Sequence, residues 1–175
     1  MKFWKDNRGT DVYKMLKVLA IVVLIVTILG AGAVLYGINT LAPVVEQTQV
    51  TVTPAVQAQD VFDGILNQVE SGTFTGRVFT QPGEISAQDC AFVTYTVRLF
   101  NKGFFPAEWI ALDVQGTQGD LLQLANAQAN VLASGSRGDI AATILHMGDA
   151  ADTQRSYEIT CYVFGRKITL QGMAQ

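Results

Sequence analysis

CAFVTYTVRLF, residues 90–100, is the stretch on which the fold turns. Ala91, Val93, Tyr95, Val97 and Leu99 share one parity, and Thr94, Thr96 and Arg98 share the other. Period two marks a strand with one face in a core and one in solvent. NKG, residues 101–103, interrupts the run as a turn. AEWIALDVQ, residues 107–115, then opens a second strand, with Trp109 its largest candidate for the core. DLLQL (120–124), AQANVLA (127–133) and DIAATIL (139–145) continue the series. SGSRG (134–138) is a hairpin loop and GDAADTQ (148–154) a polar one. SYEITCYVF (156–164) and KITLQG (167–172) close the chain as a hairpin around Gly165 and Arg166. Glycine first in a two-residue loop suits a type II′ turn. No helical period intervenes, so residues 73–175 are expected to form an all-β antiparallel sandwich of about seven or eight strands.

Upstream the character changes. Residues 18–38, VLAIVVLIVTILGAGAVLYGI, hold no charge over 21 positions. As a helix they reach about 30 Å, the hydrocarbon thickness of a bilayer. Residues 1–17 carry Lys2, Lys5, Arg8, Lys14 and Lys17 against Asp6 and Asp11, and the next basic residue is Arg77. The positive-inside rule then puts the basic tail in the cytoplasm and the remainder outside. The expectation is a retained single-pass signal-anchor in the cell membrane. Two alternatives stay open. Ala31-Gly32-Ala33 fits a signal-peptidase site. Gly9 could end a prepilin leader, although Lys14 occupies the position where a pilin-like chain wants glutamate. Ala33 and Gly37 make a small-xxx-small pair that can seat a second helix.

Residues 39–72 read as a juxtamembrane unit. NTLAPVVEQTQVTVTPAVQAQ (39–59), with two prolines and little charge, is expected to be an extended spacer. DVFDGILNQVES (60–71) places Val61, Phe62, Ile65, Leu66 and Val69 on one helical face. A short amphipathic helix follows, capped by Asp60 or Asp63 and ended by Gly72.

Chemistry is sparse. The chain is 49% hydrophobic and 15% charged. Residues 43–175 carry seven basic and thirteen acidic side chains, which argues against a nucleic-acid partner. His146 is the only histidine and has no metal-binding companions at a recognisable spacing. No G-x-S-x-G elbow and no phosphate-binding glycine loop occurs. Asp149 and Asp152 could hold calcium only if other oxygens converged, and a solvated turn is the plainer reading. No enzyme activity, cofactor or metal is expected. The most suggestive stretch is FNKGFFPAEW (100–109). Phe104, Phe105 and Trp109 crowd one turn, either as a packed lid or as an apolar surface that docks a protein partner or a second copy.

VTYTVRLFNKGFFPAEWIALDV (93–114) resembles the strand–Asn-x-Gly–strand unit of CARDB-like, Ig-like bacterial surface domains. It is also similar, more weakly, to WHy-type domains, from whose Asn-Pro-Asn turn Lys102 and Gly103 depart. The resemblance implies an Ig-like sandwich used for spacing, adhesion or subunit contact, and it brings no catalytic residues. It also suggests a disulfide between Cys90 and Cys161, 71 residues apart, as in the inter-sheet bond of Ig domains. Cys161 shares parity with Tyr157, Ile159 and Val163, whereas Cys90 points opposite to Ala91 and Val93, so two separate buried thiols is the other reading. The functional expectation is a membrane-anchored, extracytoplasmic interaction module or accessory subunit. A pilin-like filament or secretion-system subunit is the alternative.

Overall fold

The computed structural model describes residues 8–40, 42–125, 131–148 and 154–174. Helix α1 runs from Arg8 to Thr40 without a break, 33 residues or about 50 Å. Within it Tyr13–Tyr36 is apolar and long enough to cross a membrane, and it is exposed throughout except at Val34, which is half-buried. Helix α2 covers Gln59–Glu70. Nine strands are described: β1 Pro43–Pro54, β2 Arg77–Val78, β3 Cys90–Asn101, β4 Ala107–Val114, β5 Asp120–Gln123, β6 Val131–Leu132, β7 Arg137–Met147, β8 Arg155–Val163 and β9 Arg166–Ala174. They form two antiparallel sheets, ordered β1-β3-β7-β5-β2 and β6-β4-β8-β9. The expected all-β sandwich, apolar helix and short second helix are all present. Of AQANVLA, residues 127–130 lie outside the described residues, as do Asp149 and Asp152.

The alternation of β3 places the core. Val93, Tyr95, Val97 and Leu99 pack inward with Ile140, Ala142 and Ile144 of β7 and with Ile110, Leu112, Ile159 and Cys161 of the facing sheet. On the outer face Thr94 meets Thr143 at 3.0 Å, and Arg98 pairs with Asp139. Near its start β3 is covered on both faces. Cys90 and Phe92 bury against Phe62 and Ile65 of α2, Ala55, Ala87, and Leu121, Leu122 and Leu145. Helix α2 is therefore a lid on the outside of the first sheet, as its apolar stripe requires. Ala58, which makes no side-chain cap hydrogen bond, sits at its N-cap in place of Asp60 or Asp63, and Gly72, at φ 71, follows its end.

Four further expectations are corrected. Residues 43–54 are not a spacer. They pair with β3 from Pro43↔Asn101 to Pro54↔Ala91, so the sandwich begins directly after α1 rather than at residue 73. The two prolines bracket the strand, at the ends of an edge strand where a missing N–H is tolerated. Cys90 and Cys161 are both free. Their side chains lie in separate clusters, one outside the first sheet and one between the sheets, and burial pushes both thiols above their ordinary pKa. The closing hairpin turns on Phe164 and Gly165, with Val163 paired to Arg166. Both turn residues have positive φ, 50 and 75, the type I′ pattern instead of II′.

The fourth correction is Trp109, which is no core residue. A bulge lies between Glu108 and Ala111, and Trp109 takes φ 51 there. The extra residue shifts the parity, so Ile110, Leu112 and Val114 point inward and the indole points out, 68% exposed.

Candidate functional site

The end of the sandwich at which α1 enters is built around Asn101. Its side chain is fully buried. Oδ1 accepts from the Gly103 N–H at 2.9 Å, while Nδ2 donates to the Phe105 and Leu132 carbonyls, each at 2.9 Å. The Ser134 hydroxyl donates to the Gly103 carbonyl at 2.6 Å. The 102–106 turn is thus tied to β6 and its following loop. That fixed path throws Phe104 outward, 72% exposed, and folds the half-buried Phe105 onto Phe164, ring centroids 5.1 Å apart. Phe164 itself is 70% exposed at the tip of the β8–β9 hairpin. Glu108 pairs across the sheet with Tyr162 on one side and Val131 on the other. Glu108, Trp109, Tyr162 and Gly165 line a shallow depression of about 330 Å³.

The structure brings Phe104, Phe105 and Trp109 to one end, with Phe105 serving as the packed base. Phe164 and Tyr162 join them, although neither lies in the 100–109 stretch. Their signal lies in the hairpin register. A loop centred on Phe164-Gly165 puts an aromatic at the tip and Tyr162 on the outer face.

Charge is arranged unevenly. Arg77 pairs with Asp113 at 3.0 Å, Arg98 with Asp139 and Arg137 with Glu46, both at 2.8 Å. Their hydrogen bonds to arginine hold Asp139 and Glu46 below the usual carboxylate range. The stability these pairs give is present above that range and is lost as pH falls through the lowered values. It is small, because both carboxylates meet solvent. Lys102, Arg166 and Lys167 enter no ion pair among the described residues, and all three flank the aromatic end.

The opposite end holds a buried ionic cluster. Asp120 of β5 is 1% exposed. Its carboxylate accepts from Arg155 of β8 at 2.5 and 3.2 Å, lies 2.8 Å from Nδ1 of His146 on β7, and accepts from the Thr117 N–H at 2.6 Å. Arg155 also contacts the Thr117 hydroxyl. One carboxylate therefore fastens β5 and β7 of the first sheet to β8 of the second. Gly119, at φ 92, closes over it, where an added Cβ would stand 2.7 Å from His146 Cε1. Asp120, His146 and Arg155 are all buried, and their mutual hydrogen bonds pin the two sheets together. No group of three His, Cys, Asp or Glu suited to a metal occurs among the described residues. A wider, open cleft of about 630 Å³ passes Arg77, Phe79, Asp113, Glu158 and Gln171. Its polar groups largely satisfy one another, as in the 3.1 Å contact of Gln171 with Glu158.

Ala33 and Gly37 lie four residues apart on α1, and Ala33 is exposed.

No family model and no curated protein matches the chain, so the resemblance to CARDB-like domains has no family match behind it. Solved structures give faint likenesses. The GAE domain of yeast GGA1 is 16% identical, covering 56% of this chain and 96% of that one at a TM-score of 0.34. The GAE domain of GGA2p from Saccharomyces cerevisiae is 7% identical, covering 57% and 94% at 0.34. The secreted serine protease VesC from Vibrio cholerae is 15% identical, covering 58% of this chain but 22% of that one, at 0.32. None of these likenesses bears on activity or partner.

Proposed function

We propose that this chain is a membrane-anchored, extracytoplasmic and non-enzymatic interaction module. One observation carries the reading: an exposed apolar helix, long enough to span a bilayer, feeds after Thr40 straight into an edge strand. The helix needs a lipid or protein covering, and the strand needs none to fold. β1 is 12 residues long, pairs on one side with β3, and ends its sheet. Its other side offers backbone donors and acceptors to an added strand, the mode by which sheet edges recruit extended segments. Polar Gln49 and Thr51 face solvent along it. A photo-crosslinking residue placed at Gln49 of the full chain, irradiated in its native membrane, is expected to give a discrete heavier adduct. The same residue at the exposed loop position Gln81 should give none. Silence at Gln49 alongside adducts elsewhere would move the interface off β1.

A filament subunit is the second reading, supported by the unbroken 33-residue helix, which other copies could cover as well as lipid could. Lys14 in place of glutamate weighs against it.

A further inference from the structure

We infer that the α1-bearing end of the sandwich is a lipid-docking surface: Phe104, Trp109 and Phe164 enter the interface of the bilayer that α1 spans, and Lys102, Arg166 and Lys167 meet anionic headgroups there. The inference rests on the membrane-anchored reading and goes beyond it.

Three observations converge. The first is placement. Pro43, three residues beyond the end of α1, pairs with Asn101. The 102–106 turn follows Asn101, and Ala107 pairs with Val163, the residue before the Phe164-Gly165 turn. The chain's entry and both aromatic turns therefore share one end. The second is proximity. Val34 lies inside the apolar stretch Tyr13–Tyr36, yet it packs against the core cluster of the sandwich. With no spacer to lift it, the domain rests where the apolar run ends. The third is composition. Tryptophan and other aromatics favour the headgroup level, and lysine and arginine beside them are attracted to anionic lipid. In a body with thirteen acidic residues and seven basic ones, the three cations that form no ion pair among the described residues gather at this end. Glu108 lies within the patch, and Glu46, already paired with Arg137, is near enough to Lys102 to feel its charge; the cations outnumber these two carboxylates. An acidic protein partner would suit the charges. The position favours lipid, because any partner here would have to fit beneath a domain already at the membrane.

The test uses the full chain with Trp4 changed to Phe, which leaves Trp109 as the only tryptophan. It is reconstituted into phosphatidylcholine vesicles with and without phosphatidylglycerol. Lipids carrying a spin label near the headgroup are expected to quench Trp109, while aqueous iodide reaches it poorly. Phosphatidylglycerol should strengthen the quenching, and Lys102→Gln, Arg166→Gln and Lys167→Gln together should remove that gain. Each charge is expected to contribute roughly a five-fold change in surface affinity. Trp109 that stays open to iodide and unquenched in vesicles holding no other protein overturns the inference and leaves the surface to a protein. Failure of the chain to float with the vesicles would instead overturn the anchor, so the two failures are distinguishable.

Discussion

Asp120→Ala is expected to destabilise the sandwich by about 3–5 kcal/mol, the cost of leaving a buried ionic partner uncompensated. The Arg155 guanidinium, 4% exposed, would lose its carboxylate, and His146, 7% exposed, would lose its hydrogen bond. Nothing else described within reach is an anion. Domains of this size are stable by about 5–15 kcal/mol, so the change removes a large share of the margin. Urea unfolding of the full chain in detergent, followed by circular dichroism, measures it. Asp120→Asn keeps the shape but not the charge and should recover only a minor part. Replacing Asp120 and Arg155 together by Leu and Met should recover more, because an apolar pair of similar size needs no compensation. A loss below about 1 kcal/mol for Asp120→Ala would mean that water reaches the cluster and that it does not pin the sheets.

Asn101→Ala is the second large effect. One side chain satisfies the Gly103 N–H and the carbonyls of Phe105 and Leu132. Each buried group left unpaired costs about 1–3 kcal/mol, and relief by water at the loop brings the expected total to ~3 kcal/mol. Local effects should exceed the global one. The 102–106 turn should loosen, seen as faster amide exchange at Gly103 and as loss of the Phe105–Phe164 stacking. Asn101→Asp keeps the acceptor for Gly103 but sets a carboxylate against two carbonyl oxygens, so it should not rescue. Unchanged exchange at Gly103 in Asn101→Ala would show that the turn is held by β4 and β6 alone.

How much of this was legible varies by element, for physical reasons. The β3 alternation read true because that strand is central and one face of it must be apolar. Helix α2 read true in its stripe of Phe62, Ile65, Leu66 and Val69, which has nowhere to go but onto a sheet, whereas Val61, expected on the same face, is exposed. β1 was opaque. An edge strand is solvated along one side, so Thr and Gln fit it as well as they fit a spacer. Trp109 misled because a large aromatic in a strand suggests burial. The competing signal was present in Ile110, Leu112 and Val114, whose shared parity can be inward only if Trp109 is outward. The odd parity of Cys90 was a faithful clue to a second buried layer. Asp120, His146 and Arg155 were out of reach, since nothing local marks three residues on three strands as neighbours. At the aromatic end the residue types were visible, and the register that adds Phe164 and Tyr162 was not.

The most direct test of the central claim, that α1 stays as a membrane anchor under the sandwich, is the mass of the N-terminal peptide of the mature protein from a carbonate-washed membrane fraction. The account predicts a chain that stays in the membrane pellet and retains the basic tail ahead of the whole apolar run 18–38. A chain beginning at Thr10 would contradict it in favour of a filament subunit, and one beginning near Val34 would make this a released protein with no anchor at all.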